Sequence, residues 1–505
     1  MSEIVTPDWV KDAIFYQIFP DTFARSARVA KPSNLASWDS EPSRAFKGGD
    51  LLGVVERLDY LQDLGITALY FCPLFASTAN HRYHTHDYHH VDPILGGDEA
   101  LRELLDEAHR REMRVVLDGV FNHTSRGFFQ FNHTLENGLA SPYIDWFHFN
   151  REWLATGEPL DAYPSARKRQ KTWQSGASLE AYGYKAWWDL PALPKFNTEH
   201  PAVREFLFDV GERWLRFGID GWRLDVPMEI DDDEFWREFS RRTKAINPEA
   251  YLVGEVWTEA SRWLRGDQFD GVMNYVLQRA CLRFFGGEAL SDDVSWEGRR
   301  LTPWRAVRFA SAINEMLQLY DWQITLTQLN LLGSHDTPRY LRQVGNDVTR
   351  CKASLLFLMT APGVPCIYYG DEIGLPNVGR PGGGARAAMI WERSRWNEDL
   401  RNYVKRCIAL RQAHPALRRG SFHQLYANNK ANVYAFGRKW ERDMLVAVFN
   451  QGEEDWEIRV PLGGPLFGGV ILRDLLRGGE CVVRGRHVEG PALPPHSGTV
   501  LCAEV

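Results

Sequence analysis

The sequence predicts an α/β protein built on a (β/α)8 TIM barrel, with an insertion domain after the third strand and a C-terminal antiparallel β-sandwich. Three observations support this prediction. Eight short apolar runs alternate with helix-like segments, one aromatic segment interrupts the alternation, and short β-like runs with Gly-rich turns follow the last helix. Strand–helix alternation is typical of parallel sheets, and eight such units fit a closed barrel better than an open sheet.

The predicted strands and helices follow from local pattern. The strands cover residues 13–18, 67–73, 114–119, 219–225, 251–255, 271–275, 328–334 and 365–370. Helix-like segments cover residues 51–64, 98–111, 201–217 and 232–245. The first helix begins after Asp50, a favourable N-cap, and ends at Gly65, a favourable C-cap. The acidic run at residues 231–234 is interpreted as first-turn charge at a helix N-terminus.

Two interruptions of the alternation define the predicted domains. Over residues 124–197 the helix expected after the third strand is replaced by an aromatic segment with Gly and Pro, interpreted as a small domain over the barrel mouth. After residue 417, runs such as residues 433–436 and 445–449 suggest a β-sandwich. We therefore predict barrel parts at residues 1–123 and 198–417, an insertion domain at residues 124–197 and a C-terminal domain at residues 418–505.

Composition narrows the class of function. The net charge of −7 gives no general polyanion-binding surface, so no nucleic-acid partner is expected. The longest apolar run, residues 353–369, is broken by a Pro-Gly-Val-Pro segment, which argues against a membrane span. Seven scattered cysteines without a CxxC motif favour reduced thiols. Because the N-terminus also shows no signal-peptide pattern, a cytoplasmic location is expected.

Residues capable of chemistry follow four of the predicted strands. In Gly221-Trp222-Arg223-Leu224-Asp225, Arg223 and Asp225 share one strand face. A guanidinium beside a carboxylate favours its charged form, which suits a nucleophile, although a lone Arg-x-Asp motif is more often a structural ion pair. The other three strands deliver Asp118, Asn122 and His123; Glu255 and Trp257; and His335 and Asp336. Because barrel active sites lie at the C-terminal strand ends, we predict one shared cleft.

Three carboxylates, two histidines and an arginine, in a chain with 19 Trp, 18 Tyr and 27 Phe, suggest glycosyl chemistry. Retaining glycoside hydrolysis needs a carboxylate nucleophile and a second carboxylic acid, about 5–5.5 Å apart. The apolar neighbour Trp257 predicts a desolvated Glu255 with a raised pKa, as a general acid requires. Asp225 is then the nucleophile, and Asp336 stabilises substrate hydroxyls or the oxocarbenium charge.

These four blocks resemble the conserved regions of the α-amylase family, glycoside hydrolase family 13. The resemblance covers nearly the whole chain, because it also includes FYQIFP at residues 15–20, GGDL at residues 48–51 and GVPCIYYGDE at residues 363–372. It implies the same roles for Asp225, Glu255 and Asp336. It further implies a set of substrate-binding residues at the cleavage point, with Tyr83 stacking on the sugar: Tyr83, His123, Arg223, Trp257, His335 and Arg339.

One block indicates a subgroup. Leu193-Pro194-Lys195-Phe196-Asn197 resembles a block of neopullulanases, cyclomaltodextrinases and maltogenic amylases. This likeness implies hydrolysis of α-1,4 bonds in maltooligosaccharides and cyclic glucans, with transglycosylation. Those relatives carry an N-terminal β-domain that helps to build their dimers, whereas here the barrel begins almost at once, so we expect this domain to be missing and leave a homo-oligomer open.

No cofactor is expected to be required. The loop over residues 24–47 lacks the Asn and Asp ligands that those relatives use for calcium, and its Arg25, Arg28, Lys31 and Arg44 are poor substitutes. Asn122 matches a calcium ligand of other α-amylases, which leaves calcium between barrel and insertion as an alternative. A zinc site remains a weaker alternative to a sugar-binding rim for one irregularly spaced cluster: His81, His84, His86, Asp87, His89, His90 and Asp92.

Other functions stay open beside this hypothesis. An enzyme of the same fold could be specific for α-1,6 or α-1,1 linkages or for an unusual cyclic glucan. A non-catalytic, amylase-like binding subunit and a metal-dependent hydrolase centred on the histidines are more remote. The glycines at residues 382–384 lack the context of a phosphate-binding loop and are interpreted as a rim loop.

Overall fold

All eight predicted strands form and run parallel around a barrel. They are Phe15–Ile18, Ala68–Phe71, Arg114–Gly119, Gly221–Leu224, Tyr251–Gly254, Gly271–Val272, Leu329–Leu331 and Val364–Tyr368. Neighbours pair in chain order with the eighth strand beside the first, and a parallel bridge between Met273 and Leu329 closes the barrel. The structure is a computed structural model that describes residues 4–292, 294–379, 384–462 and 470–503; residues 382 and 383 of the predicted rim loop lie outside them.

Alternate residues of these strands fill the barrel interior or pack against the surrounding helices. Phe15 and Tyr70 belong to the interior cluster, whereas Tyr16 and Leu69 belong to the outer core. At Gly221 an added Cβ would lie 2.2 Å from the carbonyl oxygen of Tyr251, so the fourth and fifth strands can approach this closely only because the residue is glycine.

The helices around the barrel agree with the predicted pattern, with one break. They are Leu51–Val55, Leu58–Leu64, Gly97–Arg110, Pro201–Phe217, Asp233–Ile246, Tyr275–Cys281, Ala306–Leu317, Trp322–Leu326, Tyr340–Gln343, Val348–Thr360, Glu398–Ala413 and Pro415–Arg419. The predicted first helix is divided at Arg57, whose φ of −114° is not helical. Asp50 caps it by accepting a bond from the Gly53 N–H, and Asp232 caps the helix that follows the fourth strand.

The segment after the third strand forms a small aromatic-centred unit. Its short helices are Phe129–Asn137, Arg151–Ala155, Ala166–Thr172 and Ser178–Tyr182. Phe131 and Phe147 pack edge to face, and Phe147 stacks on Phe196. The returning chain bridges His123 to Lys195. The insertion therefore lies directly against residues at the end of the third strand.

The predicted C-terminal β domain is an eight-stranded antiparallel sheet. Its strands are Ser421–Asn428, Val433–Trp440, Asp443–Asn450, Trp456–Pro461, Ile471–Asp474, Glu480–Arg484, His487–Leu493 and Ser497–Ala503. One face encloses an apolar core that includes Ala435 and Val448, and the other places Phe436 and Phe449 against the barrel helices.

Two further findings concern the chain as a whole. In the part of the chain that the structure describes, no helix has the length and apolar character needed to span a membrane. The seven cysteines are all free thiols, and six of them are buried.

Candidate active site

Three carboxylates surround one guanidinium at the C-terminal end of the barrel. Arg223 Nη1 lies 2.8 Å from Asp225 Oδ1 and 2.9 Å from Asp118 Oδ1. Arg223 Nη2 lies 2.9 Å from Glu255 Oε2. Strand register explains the meeting, because Asp118 pairs with Arg223 across the third and fourth strands, and Asp225 and Glu255 directly follow the fourth and fifth. The predicted Arg223–Asp225 pair is therefore part of a larger cluster.

The charges of this cluster do not balance. All four side chains are buried, and burial raises the pKa of Asp118, Asp225 and Glu255 despite the nearby Arg223. Three interacting carboxylates therefore share one cation in a desolvated site, an arrangement that favours the neutral form of each carboxyl group. Arg223 favours the charged form of Asp225, as predicted, but desolvation opposes it on the nucleophile candidate as it does on the acid candidate.

Glu255 is held by two hydrogen-bond donors. The Trp257 indole N–H donates to Glu255 Oε1 over 2.9 Å, and the Val226 N–H donates to Oε2 over 3.1 Å. Burial raises the pKa of Glu255, as expected, but Trp257 acts on it as a polar donor and not as an apolar wall. Trp257 also stacks on Tyr275, with ring centroids 3.6 Å apart, which fixes the indole.

The backbone directly after Asp225 is strained. Val226 has φ 37° and ψ 51°, a left-handed conformation that is unfavourable for a β-branched residue. This conformation directs the Val226 N–H towards Glu255 and leaves Asp225 Oδ2 buried without a hydrogen-bond partner among the described residues. An acceptor oxygen free of hydrogen bonds is available for a reaction.

Asp336 is oriented by its chain neighbour His335 and by Arg386 from a distant segment. His335 Nε2 lies 3.0 Å from Asp336 Oδ2, and Arg386 Nη2 lies 3.0 Å from Asp336 Oδ1. Burial alone would raise the pKa of Asp336, but His335 and Arg386 hold it below its usual value. Burial lowers the pKa of His335 to about 3, so its ring is neutral at pH 7. Its Nδ1 lies 2.8 Å from the Gln17 amide nitrogen, which assigns the ring proton to Nε2.

Tyr83 links the two halves of the site. Its ring is parallel to that of His335, with centroids 5.4 Å apart and an interplanar angle of 4°. Its hydroxyl donates to Asp118 Oδ2 over 2.8 Å and lies 2.6 Å from His335 Nε2. The structure therefore places Tyr83 between Asp118 and the His335–Asp336 pair. It lies on the loop that leads into the hairpin strand Thr85–Val91.

His123 lies at the edge of the insertion. It is buried, its Nε2 has no partner among the described residues, and its ring stacks on Trp187 with centroids 4.7 Å apart. Burial lowers its pKa to about 3, so it is neutral at pH 7. A neutral imidazole with one unpaired nitrogen suits a hydrogen bond to a sugar hydroxyl. Trp188 stacks on Trp187 and is exposed.

Arg339 occupies a different environment from the other predicted residues. It is buried, its Nη1 lies 3.0 Å from Asp371 Oδ1, and its guanidinium lies over the rings of Tyr368 and Tyr369. These contacts place it behind the eighth strand and not against the carboxylates on Arg223. Its proposed role in substrate binding stays a prediction.

Sequence reasoning missed Gln17, Tyr70 and Arg386. Tyr70 donates its hydroxyl proton to Asp118 over 3.1 Å, and Gln17 contacts His335. Both lie on the face of their strands that points into the barrel, so strand periodicity could have identified them. Arg386 comes from an irregular segment well beyond the eighth strand, and no spacing signal in the sequence indicates its contact with Asp336.

The alternative calcium site between barrel and insertion rests on Asn122, which follows the third strand. Its Oδ1 is buried without a hydrogen-bond partner among the described residues, but its amide nitrogen lies 3.2 Å from His123. Calcium requires several oxygen ligands. Across the described ranges, one trio of His, Cys or acidic side chains can converge on an ion, and it lies against the C-terminal sheet: His414, Asp443 and Cys502. A calcium ion at Asn122 stays a prediction.

The histidine-rich segment does not gather its side chains. His81 packs against His84 with centroids 4.8 Å apart, whereas His90 pairs with Asp87 at 2.7 Å. Burial lowers the pKa of His84 to about 4. His89 Nε2 lies 3.4 Å from Asp209, so these rings contact separate partners, and a sugar-binding rim stays a prediction.

Comparisons with known proteins identify the family of the chain. Residues 17–420 match the family model described as alpha amylase, catalytic domain, and residues 422–501 match the neopullulanase-like C-terminal domain. A cyclomaltodextrinase of Geobacillus thermopakistaniensis is 42% identical over 500 residues, which are 98% of this chain and 78% of that protein.

Two solved structures cover the same architecture. Ttha1563 from Thermus thermophilus has a TM-score of 0.89 and 46% identity, with 98% of this chain and all of that chain covered. The Nostoc punctiforme debranching enzyme, soaked with acarbose, has a TM-score of 0.82 and 44% identity, with 99% of this chain and all of that chain covered. On the family match and these similarities, the chain belongs to the α-amylase family of glycoside hydrolases.

Proposed function

We propose that this chain cleaves α-1,4-glucosidic bonds in maltooligosaccharides and cyclic glucans with retention of configuration. One observation carries the proposal: Asp225 and Glu255, from neighbouring strands, lie against the two Nη atoms of the same Arg223. A retaining glycosidase needs two carboxyl groups on either side of one bond. The similarity to a cyclomaltodextrinase supports the substrate class.

In this proposal Asp225 attacks the anomeric carbon through Oδ2, the oxygen without a hydrogen-bond partner among the described residues. The bond from that carbon to the leaving oxygen breaks while Glu255 gives the oxygen its proton. Water then attacks the glycosyl–Asp225 ester and gives a proton back to Glu255, which restores both groups. A sugar hydroxyl in place of water gives transglycosylation.

The remaining residues would bind the sugar and its developing charge. Asp336, which His335 and Arg386 keep ionised, stabilises the oxocarbenium-like transition state. Tyr83 stacks on the reacting sugar. His123 binds a hydroxyl through its unpaired Nε2.

Proton NMR of the first product tests this function. Cleavage of maltotriose or a cyclodextrin should release the α-anomer before mutarotation. The cyclodextrin should be cleaved although it has no chain end. Initial formation of the β-anomer would indicate inversion and a separation nearer 9 Å than 5 Å between the two carboxyl groups. A complete lack of turnover on every glucan tested would contradict the proposal as a whole.

A second candidate is hydrolysis of α-1,6 branches, which the similarity to a protein named as a debranching enzyme favours. Initial rates on cyclodextrin, maltotriose, panose and pullulan would separate the two. An α-1,4 enzyme should cleave the first two faster and open panose at its α-1,4 bond. Preferential cleavage of the α-1,6 bonds in panose and pullulan would favour the second candidate. Trehalose and unusual cyclic glucans extend the same panel to the other linkages.

Three further proposals concern the setting of the reaction. The seven free cysteines favour a reducing, cytoplasmic location. The chemistry assigned above uses side chains alone, so we expect no cofactor, and activity should persist after dialysis against a chelator. A homo-oligomer stays a proposal that light scattering of the purified protein would test.

A further inference from the structure

A buried ammonium group holds together the loop that follows the first strand. Lys47 is only 2% exposed, and its Nζ lies 3.1 Å from the Ser37 carbonyl oxygen, 2.8 Å from that of Trp38 and 3.0 Å from Ser40 Oγ. It also donates to the Ser40 carbonyl oxygen. An ammonium has three protons, so four oxygens satisfy it fully. Without these partners, burying the charge would be strongly unfavourable.

The two ends of this loop are anchored to the barrel by buried carboxylates. Asp21 accepts bonds from the Lys47 N–H at 2.8 Å and the Gly48 N–H at 3.1 Å. Asp50 lies 3.0 Å from the ammonium of Lys31 and accepts the Ser26 N–H at 2.9 Å. The loop conformation between these anchors therefore depends on the carbonyl groups that Lys47 gathers.

On one side the loop supports Arg386. The Trp38 indole N–H donates to the Met389 carbonyl oxygen over 3.0 Å, three residues beyond Arg386. Arg386 donates through Nε to the His335 carbonyl oxygen over 2.9 Å, and its Nη2 lies 3.0 Å from Asp336 Oδ1. The segment from Arg386 to Met389 is therefore tied to the loop at one end and to Asp336 at the other.

On the other side the loop supports the segment that carries Tyr83. The Asn80 amide donates to the carbonyl oxygens of Ser43 and Ala45 over 3.0 and 3.1 Å. His81 follows and accepts the Tyr83 N–H at Nδ1 over 3.2 Å. A cavity of about 270 Å³ lies beside the loop, and its lining includes Lys47, His81 and Arg386.

We propose that Lys47 is a positioning residue for the reaction. Its ammonium fixes the conformation of the loop over residues 36–47, and this loop in turn positions Arg386 and Tyr83. The proposal rests on the proposed glucan hydrolysis for its kinetic readout. Lys47 touches none of the reacting groups, so its effect passes through Trp38 and Asn80. Through Tyr83 it affects sugar binding, and through Arg386 and Asp336 it affects the chemical step.

The direct test is Lys47→Met, with Lys439→Met, an exposed lysine of the C-terminal sheet, as matched control. We expect kcat/KM to fall by at least 10-fold, with a higher KM and a lower kcat, while the control stays within 2-fold of the parent enzyme. In Lys47→Ala, added ammonium ions should occupy the vacated oxygen cage and restore activity, and they should not affect the parent enzyme. An unchanged kcat/KM in Lys47→Met, or a lack of ammonium rescue in a folded Lys47→Ala, would overturn the proposal.

Two variants outside the cage keep the test valid if Lys47 variants fail to fold. Trp38→Phe removes the N–H to Met389, and Asn80→Ala removes the bonds to the loop carbonyls. Each should raise KM by several-fold, and Trp38→Phe should also move the acid limb of the rate profile to higher pH, because Asp336 loses part of its support from Arg386. Parent-like kinetics in both would overturn the proposal.

A readout independent of turnover separates this proposal from the proposed function. Hydrogen exchange of residues 24–47 should be faster in folded Lys47→Met than in the parent enzyme, whatever substrate the enzyme uses. An inactive parent enzyme would contradict the function, whereas unchanged exchange in Lys47→Met would contradict the role of the cage.

Discussion

The indole N–H of Trp257 donates a 2.9 Å hydrogen bond to Oε1 of Glu255. Since the carboxyl group accepts this bond, Trp257 favours the charged form of Glu255 and partly offsets the burial that raises its pKa. A general acid works best with a pKa near the operating pH, so this bond would limit how far burial moves the pKa.

Replacing Trp257 by Phe should move the alkaline limb of kcat/KM to higher pH. The variant keeps the aromatic ring on Tyr275 but loses the donor, so the pKa of Glu255 rises further and the acid keeps its proton at higher pH. We expect kcat at pH 7 to fall by about 10-fold, because a weaker acid gives up its proton less readily, and this is a small part of the roughly 10²- to 10⁴-fold that acid catalysis contributes. A pH–rate profile checks this, and a limb that stays in place or moves to lower pH would show that Trp257 acts only by packing.

Replacing Asp225 by Asn should lower kcat by about 10⁴- to 10⁶-fold, the scale seen when catalytic groups are removed from a hydrolase. The fold should survive. Because burial raises the pKa of Asp225 in the folded state, the ionised group contributes least to stability above that pKa, so the variant should melt no lower than the parent at pH 8. Thermal melts and ligand binding are the controls. A residual rate near that of the parent would assign the nucleophile to another group.

Replacing Glu255 by Gln should affect substrates according to their leaving groups. Glucans with ordinary sugar leaving groups should lose about 10²- to 10⁴-fold in kcat/KM, because their oxygen must be protonated as it leaves. A glucosyl fluoride needs little proton donation and should lose far less. Parallel kinetics on the two substrate types check the role, and equal losses would argue against Glu255 as the acid.

Replacing Arg223 by Met should destabilise the protein in a pH-dependent way. It leaves Asp118, Asp225 and Glu255 buried without a cation, a change that costs about 3–5 kcal/mol for buried pairs. Buried carboxyls with raised folded-state pKa values contribute stability at low pH and lose it as pH rises through those values. The difference in unfolding free energy between parent and variant should therefore be larger at pH 8 than at pH 5. Urea unfolding at the two pH values measures this difference. Arg241→Met, which removes an exposed ion pair with Glu238 on a helix, is the control.

Replacing Arg386 by Gln should make Asp336 harder to ionise. Arg386 and His335 hold the pKa of Asp336 below its usual value, so removal of the guanidinium raises that pKa. The acid limb of kcat/KM should move to higher pH, since Asp336 must be ionised to stabilise positive charge. The rate at pH 5 should fall more than the rate at pH 8. A uniform loss at both pH values would indicate that Arg386 acts only on geometry.

The fold could be predicted because its signals are local. The runs around Phe15 and Tyr70 mark strands by their composition, and Asp50 and Gly65 mark the ends of one helical stretch. The break at Arg57 in that stretch could not be predicted, since the same residues have helical periodicity throughout. At the site, Asp225 and Glu255 were identified because they follow strands whose ends must meet.

The sequence by itself determined that eight strands form a barrel and which acidic, basic and imidazole side chains stand at the strand ends, because periodicity and strand order depend on near neighbours. Only the tertiary structure decided that three carboxylates share Arg223, that Trp257 serves Glu255 as a donor, and that Arg386 reaches Asp336. Those relations depend on distances of about 3 Å between segments far apart in the chain, and no local pattern encodes such distances.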